Sequence, residues 1–88
     1  MKEIMIKLKP KFQKEIFQRL VNKYGGSVKA SEFVDIPATS IRGYKNIYFN
    51  SVPKILLNQF IKLKLVRNSE IERNSLFSFN KLDLIKIR

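Results

Sequence analysis

The sequence predicts a mainly α fold: a four-helix core with a small β element formed by an N-terminal strand and C-terminal strands. Three observations carry this expectation. Phe12, Ile16, Phe17, Leu20, Val21 and Tyr24 recur at helical spacing and place one broad apolar face on residues 12–24. Pro10, Gly25-Gly26, Pro37 and Pro53 punctuate the chain where helices would start or stop. Ser31 to Tyr44 carries the pattern of two helices around a tight turn. The 88 residues suit one domain, 1–88, rather than two. Within it, residues 11–63 form the predicted helical core, and 3–9 and 65–88 are strand-rich flanks.

Ile4, Ile6 and Leu8 alternate with Met5, Lys7 and Lys9, the period of two expected of a strand over residues 3–9. Pro10 ends it and sits just before, or in, the first turn of the first helix. Lys14 and Gln18 fall outside that helix's apolar face, and Gly25-Gly26 stops it, because glycine accepts the left-handed C′ conformation. Ser27 is a natural N-cap for a second helix, with contacts from Val28, Ser31, Phe33 and Val34. The third helix is expected over residues 37–46, followed by a loop, Ile47 to Ser51, with unusually bulky apolar residues. Pro53 opens a fourth helix, with Val52, Ile55, Leu56, Gln59, Phe60 and Leu63 inward and Leu57 and Ile61 widening that face. Beyond Lys64, strands at 65–72 and 75–79 joined by Arg73-Asn74 would make a hairpin. Residues 82–88 read either as a short helix or as a strand. The strand is preferred, because residues 3–9 need a partner for their backbone groups.

The centre of the chain reads as a helix-turn-helix. Ser31 is small where two helices must touch. Asp35 takes the turn position, where φ > 0 is common and Asp is tolerated. Ile36 plugs the core, Pro37 opens the third helix, and Ile41 and Tyr44 fall on its inner face. With Ile41 at 0°, Ala38 lies at 60° and Tyr44 at 300°. The opposite face centres on Thr39, Gly43 and Asn46, flanked by Arg42 on one side and by Ser40 and Ile47 on the other. These side chains suit the major groove of double-stranded DNA: Asn can take adenine bidentately, Arg guanine, and Thr offers a hydroxyl and a methyl. A glycine at position 43, costly in a helix by about 1 kcal/mol, would fit close approach of the groove floor, or else a packing contact.

Charge agrees with a polyanionic partner. There are 18 Lys+Arg against 7 Asp+Glu, a net charge of +11, with 44% hydrophobic residues. That is a basic globular domain, not a disordered basic tail. With no Cys and no His, disulfides, thiolate or imidazole metal sites and the catalytic mechanisms built on those groups are excluded. The carboxylates are scattered; only Glu70 and Glu72 come close, on one face of a possible strand. Neither an enzyme site nor a cofactor is therefore expected, nor a small-molecule substrate. No apolar run approaches the roughly 20 residues of a membrane span, and the N-terminus lacks a signal-peptide core; a cytoplasmic location is expected. Phosphate contacts are expected near the starts of the second and fourth helices, from Ser27, Lys29 and Lys54. Lys45, snorkelling outward, and Tyr48 and Asn50 in the following loop complete the set.

Residues 24–56 resemble the helix-turn-helix domains of the Cro, phage-repressor and lactose-repressor type. They look closer still to archaeal variants with an Ile-Pro-x-x-Ser-Ile/Leu-x-x-Tyr helix, here Ile36 to Tyr44. In those a basic loop and an Ile-Pro helix start follow, here Val52-Pro53. Such domains occur alone as transcription regulators and attached to LAGLIDADG homing endonucleases. The resemblance covers residues 11–63. It implies base-facing positions at Ala38, Thr39, Arg42 and Asn46 and phosphate-facing ones at Ser27 and Lys29. Ser31 and Asp35 replace the usual Ala and Gly, and the loop 47–50 lacks the usual Gly and basic residues. The expected function is sequence-specific binding of double-stranded DNA, by a small transcription regulator or the DNA-binding part of a larger protein. Two alternatives stay open: an RNA-binding module, in which basic charge and exposed Tyr48 and Phe49 contact unstacked bases, and a protein-interaction domain that dimerises through a Phe77/Phe79 hairpin. Beside double-stranded DNA, a second copy of the chain, as a homodimer, is the other candidate partner.

Overall fold

The computed structural model describes residues 3–80. They form, in order, β1 (Ile4–Leu8), α1 (Pro10–Tyr24), α2 (Ser27–Ala30), α3 (Ala38–Lys45), β2 (Val52–Pro53), α4 (Lys54–Lys62), α5 (Asn68–Asn74) and β3 (Ser75–Asn80). The described chain is mainly helical, with a three-stranded antiparallel sheet in the order β2-β1-β3.

α1 is the spine. Pro10 occupies its first helical position, where a missing N–H costs nothing, and Gly25 closes it at φ 80°. A Gly at that angle is what lets the chain turn directly into α2. Phe12, Ile16, Phe17 and Leu20 are buried, as their spacing requires, and meet Ala30, Val34, Ile41, Leu56, Leu57 and Phe60 in one core. Phe17 sits at its middle, stacked on Tyr44 at 4.9 Å and edge-on to Phe60 at 4.9 Å.

β1 is sandwiched between two strands. Met5 and Ile6 face Pro53 and Val52, while Ile4 to Leu8 run against Asn80 to Ser75, with an irregularity between Lys7 and Leu8. The partner that β1 requires is therefore supplied from both sides. Of the expected strand, Leu8 is buried and Ile6 half-buried, but Ile4 lies at the exposed end. The helix-or-strand alternative for 82–88 lies outside the described residues.

Several expectations are corrected. Residues 65–72 are not a strand: Asn68–Asn74 is α5, whose own Ile71 is buried, as are Leu65 and Val66 just before it. Its first turn is fixed by Glu70, whose Oε1 accepts from the Arg67 N–H at 3.0 Å, half of a capping box. The second helix is one turn long, continued by two i→i+3 bonds, from Glu32 N–H to Lys29 O and Phe33 N–H to Ala30 O. Its N-cap is Gly26, not Ser27. Ala30, not Ser31, is the small residue at the helix contact; Ser31 turns its hydroxyl to Val28 O at 2.6 Å. Val28 is 63% exposed, and Phe33 covers Tyr24 by stacking at 4.0 Å instead of entering the core. Asp35 does not take positive φ; the turn closes through Ile36 N–H on Val34 O at 2.8 Å. In α4, Ile55 points outward.

The left-handed residues are instead Ile47 and Lys64, both at φ 61°. Each follows a helix in a Schellman arrangement. After α4, Lys64 N–H bonds Ile61 O and Leu65 N–H bonds Phe60 O, both at 3.0 Å. A side chain in this conformation costs about 1–2 kcal/mol. Lys64 is exposed, so Lys64→Gly removes that cost without losing packing. The unfolded chain gains freedom in return, which takes back about half. The expected result is a net stabilisation of about 0.5–1 kcal/mol in urea denaturation; a loss of stability would contradict the left-handed C′ assignment.

Candidate nucleic-acid interface

α3 begins after Pro37, which is extended at φ −70°, ψ 160°, and whose carbonyl accepts from Ser40 and Ile41. Its phase is set from below: Ile41 is fully buried and Tyr44 lies on Phe17. That leaves Thr39, Arg42 and Asn46 exposed on the far side, within an arc of about 60° at 100° per residue. They span about 10 Å along the axis, the rise of roughly three base pairs.

Gly43 does not belong to that face. It is buried, and a Cβ there would stand 2.5 Å from Phe49 Cε2. The glycine exists for packing: the loop after α3 folds back and lays the Phe49 ring on the helix backbone. Gly43 O holds the loop down, accepting from Tyr48 N–H at 2.8 Å and, more weakly, from Phe49 N–H at 3.4 Å. Phe49 also meets Tyr44 edge-on at 4.9 Å. Ala38 is half-buried rather than open.

Gln13 completes this corner, and the sequence reading missed it. It is 1% exposed, and its Nε2 donates to Tyr44 O at 2.9 Å and to Phe49 O at 2.7 Å. One side chain of α1 thus satisfies two carbonyls at the end of α3 and in its loop. The signal was available: at 100° per residue Gln13 falls in the middle of the α1 apolar face. Gln13→Leu keeps the volume but orphans both acceptors. It should cost about 2 kcal/mol, read by chemical denaturation, and should loosen the loop 47–50 first.

Around α3 the chain is basic. From Ile36 to Ser69 it contains Arg42, Lys45, Lys54, Lys62, Lys64 and Arg67 but no carboxylate. Two of the carboxylates meet on one cation of α1. Glu15 and Glu70 share Arg19, and Arg19 Nη1 also donates to Leu65 O at 3.0 Å. Backbone N–H from Arg67 and then the Arg19 side chain hold the Glu70 carboxyl below its ordinary range. Glu70 and Glu72 do not share a strand face; on α5 they point about 200° apart. Asp35, at the turn before α3, accepts from Gln59 at 3.3 Å.

Of the expected phosphate ligands, Lys29, Lys54, Tyr48 and Asn50 are exposed, and Ser27 and Lys45 are half-buried. α2, with four residues, is too short to present a helix dipole to an anion. α4, with nine, opens at Lys54, and its first N–H groups lack partners within the helix. Among the described residues, no three acidic, His or Cys side chains come together as a metal site, and no helix is long and apolar enough to cross a membrane. No protein family, curated protein or solved structure matches this chain.

Proposed function

We propose that this protein binds double-stranded DNA in a sequence-dependent way, with α3 in the major groove. The observation that carries the reading is the exposed row Thr39, Arg42 and Asn46 on a helix whose opposite side is locked into the core, within a carboxylate-free basic stretch. Arg42 and Asn46 supply bidentate donors and acceptors for guanine and adenine edges, and Thr39 a methyl for thymine. The exposed Lys29 and Lys54 serve as phosphate ligands, with Lys45 reaching out along its aliphatic stem.

The test begins with selection of bound duplexes from a random pool. Arg42→Ala and Asn46→Ala are each expected to lose about 1–3 kcal/mol of preference for the selected site over scrambled duplex. Their fold should be unchanged, because both side chains are exposed. Lys54→Ala is expected to weaken all sequences alike. If the three variants behave the same in competition titrations, α3 does not read bases.

A further inference from the structure

Beside the reading row lies a concavity of about 400 Å³ between α3, β1 and the loop 47–51, within the range of small-ligand sites. It is lined by Met5, Tyr44, Tyr48 and Phe49 together with the polar residues Ser40, Asn50 and Ser51. Ser40 stands 100° around α3 from Thr39, so this is a second flank of the same helix. Tyr48 is 80% exposed, a large ring with little burial to explain it. The loop that carries it is pinned at the Gly43 carbonyl and by Gln13 on Phe49 O, so the ring is presented from a fixed backbone.

We infer that this concavity is a stacking site for a single unstacked nucleobase, with Tyr48 as the platform and Asn50, Ser40 and Ser51 as partners for the base edge. The inference rests on the nucleic-acid part of the proposed function. Aromatic side chains on a basic surface are the usual means of holding bases out of a helix, because every base has a π-face. An amide and two hydroxyls can pair with a base edge in several registers. The ligand is a neutral ring rather than a phosphate. No Lys or Arg lines the concavity, and the Tyr44 hydroxyl, which burial and then the Glu3 carboxylate push above its ordinary pKa, sits in surroundings that disfavour added negative charge. Tyr48 and Asn50 are thereby reassigned from the phosphate backbone to a base.

The experiment uses the full chain with a mixed-sequence single-stranded oligodeoxynucleotide carrying 2-aminopurine, and the same strand in duplex. The wild type should quench 2-aminopurine on binding the single strand. Tyr48→Ala should abolish the quenching and weaken single-strand binding about ten-fold, while duplex binding changes less than two-fold. Tyr48→Phe should retain both quenching and affinity. Circular dichroism confirms folding, which an exposed residue leaves intact. The inference is overturned if Tyr48→Ala binds the single strand as the wild type does, or if Tyr48→Phe falls as far as Tyr48→Ala. It is also overturned if Tyr48→Ala weakens duplex and single strand equally, which would make Tyr48 a backbone contact. Wild-type binding of single strand but not duplex would instead refute the proposed function and leave this site standing.

Discussion

Phe17→Ala should remove about 3–5 kcal/mol of stability, about a quarter or more of what a domain of this size possesses at about 0.05–0.15 kcal/mol per residue. Phe17 is fully buried, and its ring touches three helices: it rises from α1, stacks on Tyr44 of α3 and meets Phe60 of α4 edge-on. Truncation therefore loses the transfer energy of the ring, two aromatic contacts and the closure of the cavity between all three helices. Relaxation is limited, because the neighbours Ile16, Leu20 and Ile41 are themselves fully enclosed. Thermal denaturation followed by circular dichroism should show a transition lowered by well over ten degrees, or no cooperative transition at all. Ile41→Ala, at about 2–5 kcal/mol, is the companion test, because it reads the phase of α3 alone. If Ile41→Ala keeps wild-type stability, Thr39, Arg42 and Asn46 do not share the outer face.

The positions that could be read from sequence are those where one local rule decides. Pro10 and Gly25 bound α1 because φ is fixed in one and free in the other. Ile41 and Tyr44 face inward because a period of 3.6 leaves no other side for them. The failures have a common cause, a decision made by residues distant in the chain. Gly43 looks like an open spot on a polar face until Phe49, six residues on, returns to cover it. Gln13 looks like surface by type and becomes the donor to two carbonyls more than thirty residues away. Ile55 reads as core by type and spacing, yet Leu56, Leu57 and Phe60 fill that side and leave it exposed. The 65–72 segment reads as a strand of a hairpin; α5 forms there instead because Glu70 caps it and Arg19 holds Glu70 against α1. Left-handed φ fell on Ile47 and Lys64 rather than on Asp35, because Schellman bonds at two helix ends fix those angles whatever the residue type. Within the candidate site, the outward row Thr39, Arg42 and Asn46 was legible, and the concavity beside it was not, since it exists only where β1, α3 and the loop converge.

Affinity for duplex DNA should fall steeply with salt. Lys14, Lys29, Lys54 and Lys62 are exposed and Lys45 is half-buried, and neutralising about five phosphates gives a slope of log K against log salt near −4.5. Raising salt from about 50 to 200 mM then weakens binding by about 500-fold. The effect is large because each neutralised phosphate releases a condensed counterion, and the released ions gain less entropy as bulk salt rises. The slope counts charges and is blind to bases, so it separates two contributions that a dissociation constant merges. Arg42→Ala lowers preference for the selected site if its guanidinium is spent on a guanine edge, and leaves the slope nearly unchanged. Lys54→Ala should shallow the slope by about one unit and leave preference unchanged. Glu15 and Glu70 do not oppose these cations, because they are already engaged with Arg19, and Asp35 is held toward α4 by Gln59. A slope near zero on duplex DNA would mean that the +11 charge serves something other than phosphate, and the nucleic-acid reading of α3 would fall with it.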